Sequence, residues 1–289
     1  NGWYYLLGTH GTCCDGANST YNIVVGRSRS VTGPYLDNIG RDMLRGGGKM
    51  LLSAGNRKTG PGHFGRYIED DGVEKMSFHY EADFDQGGRS VLAILPLLWH
   101  DDWPVAGENL RDGSYEIESQ RHGYALELAV DFVRMPATRH RFWEEDNEPI
   151  VPIESQKLED VIGGWGEGPN GVRLGDYMFR PHQRWTVEAV PDAGGYLGAP
   201  YYKIVIEGTD RALAATEDAE LECVPAFTGS PEQLWRIEQL TDGTYRIMPK
   251  SVPGHETEQL ALISVADSTP TLGRFDMNSD NSKWRFRDR

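Results

Sequence analysis

The chain has 289 residues and carries 29 Lys and Arg against 44 Asp and Glu, a net charge of −15. That balance argues against a nucleic-acid backbone as partner, which needs clustered Lys and Arg, and no apolar run approaches the roughly 20 residues of a spanning helix. The length admits one large or two ordinary domains, and 34 Gly with 16 Pro favour short strands and many turns.

Trp3 to Leu7 is an aromatic and aliphatic run too short for a helix and bounded by Gly8 and Gly11, which predicts a strand over Trp3–Thr9. Tyr21–Ser28 is a second such run. Between them Thr12–Thr20 is a loop rich in Gly, Asn, Ser and Asp. It holds Cys13, Cys14, Asp15, Asn18, Ser19 and Thr20, and loops carried on strands are where sites are placed. Adjacent Cys13 and Cys14 allow two states: free buried thiols, or a vicinal disulfide lining a pocket. Cys223 lies far away in sequence, and no second Cys/His pair stands at zinc-ligand spacing. A turn at Thr32–Tyr35 and a short strand near Met50–Ser53 complete one β unit. Gly65–Glu69, Lys75–Tyr80 and Ser90–Trp99 form another, each unit about the size of one propeller blade. Trp3, Tyr4, Trp99 and Trp103 are core aromatics or sugar platforms.

The order of Cys13, Cys14, Gly16, Ser19-Thr20-Tyr21, Gly26-Arg27-Ser28, Thr32 to Tyr35, Gly46 to Gly48 and Gly60-Pro61-Gly62-His63 resembles glycoside hydrolase family 43. The likeness is to its endo-1,5-arabinanase and arabinofuranosidase branch. It covers residues 1–105 and corresponds to the C-terminal part, the last two blades, of that family's five-bladed propeller. Two blades cannot close a ring that needs about four to eight, so the resemblance implies a second chain or fragment carrying the missing blades.

The resemblance further implies inverting hydrolysis by three carboxylates, an arrangement that leaves room for water beside the sugar. In the family two Asp lie in early blades and the Glu just before the segment equivalent to Trp3. No catalytic residue is therefore assigned to this chain, and Asp15, Asp37, Asp42, Glu69 and Asp83 read as solvated loop acids. The carried-over rim is Cys13, Cys14, Asn18, Ser19 and Thr20 as substrate-binding residues. His63 is carried over both as a substrate-binding residue and as a ligand near one calcium ion in the propeller channel. The Gly-Pro-Gly turn fixes where this histidine points, and calcium's further oxygens would be largely waters. Phe64 and Gly65 depart from the family's Asn-Ser at this place.

Pro104–Asp112 is a polar connector. After it comes a threefold repeat. Strand starts Tyr115-Glu116-Ile117, Tyr202-Lys203-Ile204 and Tyr245-Arg246-Ile247 are each followed by an Ala-Leu pair. Each unit ends on an alternating stretch around Trp185, Trp235 or Trp284. The endings Gln183-Arg184-Trp185, Gln233-Leu234-Trp235 and Ser282-Lys283-Trp284 resemble the ricin-type β-trefoil. The first unit is longer, so it carries an insertion within Val133–Tyr177 that includes Arg134, His140 to Trp143, and Glu144 to Asp146. Sugar sites of such trefoils use an early Asp, an aromatic and a later Asn or Gln. Here the early positions read Glu127, Thr216 to Asp218, and Ile263-Ser264.

The expected fold is thus all-β: the last blades of a five-bladed propeller over 1–105, then a ricin-type β-trefoil over 110–289 with a long insertion in its first repeat. The expected function is a share in a glycoside hydrolase acting on arabinan-type polysaccharide or oligosaccharide, active only with the missing blades. The alternative is a non-catalytic carbohydrate-binding protein or pseudoenzyme fragment. The resemblance places the protein outside the cell, in the periplasm or at the cell surface, although no signal peptide opens this chain.

Overall fold

The computed structural model describes residues 1–130, 158, 167–266 and 268–288. They are all-β and divide into two compact units, Asn1–Asn109 with Leu240–Gly243, and Leu110–Gln239 with Thr244–Arg289. Among the described residues no helix is long and apolar enough to cross a membrane.

The first unit contains strands β1 (Tyr4–His10), β2 (Asn22–Ser28), β3 (Lys49–Leu52), β4 (Lys58–Thr59), β5 (Tyr67–Asp70), β6 (Val73–Asp83), β7 (Arg89–His100) and β8 (Trp103–Ala106). They form two blade-sized antiparallel sheets: β1-β2-β3, and β4-β6-β7-β8 with β5 also on β6. In the first, Leu7 stands opposite Val25 and His10 opposite Asn22. The β5–β6 hairpin turns on Asp71 and Gly72, both at positive φ. A two-residue turn of this hand matches the strand twist, and an Asp-Gly pair supplies it.

Alternation along β6 divides its residues between two faces. Met76, Phe78 and Tyr80 join Ile23, Val25, Leu51, Leu97 and Trp103 in the core. Ser77, His79 and Glu81 face the other way. Trp103 and Trp99 pack in or against this core rather than standing free. Trp3 and Trp103 each lie 4.3 Å from the Arg27 guanidinium, an arrangement that favours the cation over the ring faces. Pro104, expected in a connector, instead belongs to β8, opposite Trp99. As the last strand of its sheet, β8 can lose an N–H donor there without leaving a ladder bond unmade.

The second unit contains β9 (Gly113–Ser119), β10 (Ala125–Leu128), β11 (Asn170–Gly175), β12 (Trp185–Ala189), β13 (Gly195–Tyr196), β14 (Ala199–Pro200), β15 (Tyr202–Ile206), β16 (Ala212–Ala215), β17 (Leu221–Val224), β18 (Trp235–Gln239), β19 (Tyr245–Pro249), β20 (Leu260–Val265), β21 (Thr269–Arg274) and β22 (Trp284–Asp288). Strands β9, β12, β15, β18, β19 and β22 pair in that order, and β22 pairs back with β9. The ring is a closed barrel, which leaves no open edge. Three hairpins accompany it, β10–β11, β16–β17 and β20–β21. One barrel strand, one hairpin and one Trp-bearing barrel strand make each repeat, so the unit is a β-trefoil.

Trp185, Trp235 and Trp284 are fully buried. Each indole N–H donates to the carbonyl of the Leu in its own repeat's Ala-Leu pair: Trp185 to Leu126 at 2.8 Å, Trp235 to Leu213 at 3.0 Å, Trp284 to Leu262 at 2.8 Å. The bond spans 59 residues in the first repeat and 22 in the others. The extra length therefore falls between β10 and β11. The predicted window, Val133–Tyr177, overlaps this extra length, and its last part, Asn170–Gly175, is β11, the ordinary return strand of the hairpin. Arg134, His140 to Trp143, and Glu144 to Asp146 lie outside the described residues.

The glutamine of the repeat closes the turn before each Trp strand. Gln183 Oε1 accepts from the Met178 N–H at 2.9 Å and Gln233 Oε1 from the Thr228 N–H at 2.7 Å. In the third repeat the Ser282 hydroxyl accepts from the Asp276 N–H at 3.2 Å. A serine thus fills the glutamine's role with a shorter reach.

Candidate functional site

Three segments of the first unit meet: the Thr12–Thr20 loop, the Gly60–His63 turn and the polar face of β6. The loop is closed on itself, Thr20 N–H donating to the Thr12 carbonyl at 2.9 Å and the Thr20 hydroxyl accepting from Thr12 N–H at 2.9 Å. Ser19 is buried and its hydroxyl accepts from the Asp15 N–H at 3.1 Å. Asn18 sits exposed in the short 3-10 turn Gly16–Asn18.

Cys13 and Cys14 are joined in a vicinal disulfide. Of the two expectations, free buried thiols is therefore wrong: the pair is bridged, Cys14 is exposed and Cys13 half-buried. Cys14 has φ +67°, a region a non-glycine residue adopts only when its surroundings hold it there. Its N–H donates to Glu81 Oε2 at 2.9 Å. Cys223 is the buried free thiol of the second unit, where burial pushes it up to about 12.

The turn is packed so closely that its glycines are required. A Cβ on Gly60 would stand 2.8 Å from both Glu81 Cγ and Ser19 Cβ, and one on Gly62 2.5 Å from the Tyr21 ring. Gly62 and His79 exchange two backbone bonds, 2.9 and 3.1 Å long. His63 N–H donates to the Thr9 hydroxyl at 2.9 Å, and its ring is exposed, 5.5 Å between centroids from that of His79. The backbone is fixed on both sides, which sets the point and direction from which the His63 side chain leaves the turn.

Glu81 is the residue that the sequence-based choice of site missed. It is only 8% exposed, and Oε1 lies 2.7 Å from His79 Nε2. The His79 bond, with help from the Cys14 N–H, holds its carboxyl below the ordinary carboxylate range, against the opposing effect of burial. A carboxylate depressed on folding adds stability above its unfolded pKa and loses it as pH falls through the folded value. Glu81→Gln is accordingly expected to be less stable than the parent at neutral pH, with the gap closing as acid is added. Thermal melts of the two proteins across the acid range measure this.

Among the described residues no group of three or more His, Cys, Asp or Glu could hold a metal ion. His63 with its neighbours does not supply the oxygen-rich set that calcium takes, so these residues alone do not fit that ion.

In the second unit Glu127, the early acid of the first repeat, is buried and occupied. Arg173 Nε donates to it at 2.6 Å and Gln183 Nε2 at 2.7 Å, while His182 Nε2 lies 3.4 Å away. Burial alone would raise its carboxyl, but the bonds from His182, Arg173 and Gln183 outweigh burial and hold it low. A separate open cavity of about 710 Å³ is lined by Glu116, Asp176, Tyr177, Phe179 and Arg287 among others. Tyr177 and Phe179 rings stand 4.8 Å apart there.

Residues 1–104 match the family described as glycosyl hydrolases family 43, and residues 181–255 the ricin-type beta-trefoil lectin domain-like family. The extracellular endo-alpha-(1->5)-L-arabinanase 1 of Bacillus subtilis is 43% identical over 104 residues, 36% of this chain and 31% of its own length. The extracellular exo-alpha-(1->5)-L-arabinofuranosidase ArbA of Cellvibrio japonicus is 44% identical over 112 residues, 38% of this chain and 31% of its own. A solved alpha-L-arabinanase of Cellvibrio cellulosa, complexed with arabinohexaose, is 40% identical over 37% of this chain and 33% of its own, with a TM-score of 0.35. The chain spans about a third of the length of the curated relatives it matches. Residues 1–104 are thus similar to a part of glycosyl hydrolases family 43, and residues 181–255 to a ricin-type β-trefoil lectin-like domain.

Proposed function

We propose that the first unit is the closing part of an arabinan-cleaving propeller whose catalytic carboxylates stand on other polypeptide. It supplies one rim of the substrate cleft, with Cys13, Cys14, Asn18, Thr20 and His63 toward the sugar, while Ser19, expected among them, is buried and braces the loop from beneath. The observation that carries this is the convergence of the Cys13–Cys14 loop, the Gly60–His63 turn and the polar face of β6, within a segment matched to family 43. The partner in this reading is a chain or fragment carrying the remaining blades, and the protein acts outside the cell, as the named relatives do. A calcium ion near His63 would take its other ligands from water and from that missing part.

What this chain contributes to catalysis is positioning. The rim's hydroxyls and the His63 imidazole, carried on a fixed backbone, offer hydrogen bonds to sugar hydroxyls, and held geometry of this kind lowers the entropic barrier to reaction. The cavity beside Tyr177 and Phe179 favours a second reading, carbohydrate binding by the trefoil, since an aromatic face with a few convergent polar groups suits a sugar.

Titrating arabinohexaose into the isotope-labelled chain separates the two. The proposal expects amide shifts at Cys14, Ser19, Thr20 and His63. Shifts confined to Tyr177 and Phe179 would leave only the binding reading, and none at all would leave neither.

A further inference from the structure

The acid beside the rim has one partner on the disulfide and another on the histidine pair. Glu81 Oε2 takes the Cys14 N–H at 2.9 Å, and Glu81 Oε1 lies 2.7 Å from His79 Nε2. The His79 ring in turn faces His63 across 5.5 Å. The far end of this chain is the exposed His63 imidazole. Its near end is a disulfide whose Cys14 is also exposed, and so open to a thiol reductant. Bridging neighbouring cysteines closes a small ring through one peptide, which removes most of the freedom of that peptide and of the N–H that Glu81 receives.

We propose that Glu81 is a positioning residue for the His79–His63 face, anchored by the Cys14 N–H that the vicinal disulfide fixes, so that reducing Cys13–Cys14 releases the face. That this face meets the substrate rests on the function proposed above; the coupling between disulfide and histidines does not. A dithiol reductant supplies the two electrons and two protons. The S–S bond breaks, each cysteine sulfur gains a hydrogen, and the donor closes its own disulfide. With the ring open, Cys14 is free to leave the left-handed region and turn its N–H away. Glu81 then loses one of its two anchors, while the fold core, on the opposite face of β6, is untouched.

The experiment uses the whole labelled chain, oxidised or reduced with dithiothreitol, with mass spectrometry confirming the gain of two hydrogens. The histidine ring signals of His79 and His63 are followed by NMR, and the indole signals of Trp185, Trp235 and Trp284 with the Ile23 and Val25 methyls report an intact fold. Reduction is expected to move both histidine rings and leave the core signals in place. In Glu81→Gln the rings should already be displaced, and reduction should move them by less than half as much as in the parent, because coupled groups do not add. Cys13→Ser with Cys14→Ser should resemble the reduced parent and ignore dithiothreitol. Unmoved histidine signals on reduction, or an equal movement in Glu81→Gln, would overturn the proposal. Arabinohexaose titration of the two redox forms is a separate arm, with about tenfold weaker binding expected on reduction. If neither form binds, the substrate reading fails, while the ring signals still decide the coupling.

Discussion

Trp235→Ala is expected to cost the second unit about 3–5 kcal/mol, the range for removing a large buried aromatic from a core. Trp235 is fully buried, and its indole is the donor to the Leu213 carbonyl. The truncation therefore opens a cavity and also strands a buried acceptor, two separate penalties. Trp235→Phe keeps most of the apolar surface and loses the N–H, so it should fall between the parent and Trp235→Ala. Urea unfolding followed by far-ultraviolet circular dichroism gives both values. The equivalent changes at Trp185 and Trp284 should cost similar amounts, because all three make the same bond. A much smaller loss at Trp185 would mean that the first repeat closes in another way.

Glu238→Ala should cost as much again, for an electrostatic reason. Glu238 on β18 is 2% exposed and receives Arg236 Nε at 2.7 Å, Arg246 Nε at 2.9 Å and Arg246 Nη2 at 2.7 Å. Both arginines are themselves buried. Removing the carboxylate leaves two guanidiniums out of water with their shared anion gone, and breaking such a group costs roughly 3–5 kcal/mol. Replacing all three residues together by apolar side chains of similar volume should restore most of the loss, since a buried ion group is worth little against good packing. The triple replacement is the informative one. If it is as unstable as Glu238→Ala, the penalty lies in packing rather than in uncompensated charge.

The trefoil was the most legible part of the chain. The three Trp endings and the Ala-Leu pairs mark opposite ends of the same hydrogen bond, so their repetition carries the geometry of the repeat. The insertion's end was not legible. Asn170–Gly175 has glycine at both ends of its core and few strand-favouring side chains, and it is a strand because β10 and β17 pair with it. Tertiary pairing overrides local preference in such segments. In the first unit the same limit hid β8, where Pro104 reads as a connector and survives only as an edge position.

The site divides in a similar way. The rim from Cys13 to Thr20 and His63 stood out because turn residues and chemically special groups coincide there. Whether the cysteines were bridged depended on backbone conformation at Cys14, which composition does not encode. Glu81 was passed over within Tyr80-Glu81-Ala82-Asp83, where an acid near a strand end resembles solvated surface. Its alternation with His79 along β6 was the available signal, since period two puts both on one face. Asp83, singled out among the acids of that stretch, instead caps the turn that follows, accepting from the Asp85 N–H at 3.0 Å.

The central claim is that these residues complete a sugar-cleaving ring whose reactive acids lie elsewhere, and hydrolysis of debranched arabinan tests it most directly. The 289-residue chain by itself should release no reducing sugar. Mixed with a polypeptide carrying the early blades and acids of an arabinanase, it should release sugar, and His63→Ala should lower that rate by about a hundredfold, the scale of loss when a substrate is left misplaced. Release of sugar by the chain alone would contradict the account, because it would place a working pair of carboxylates among residues assigned none.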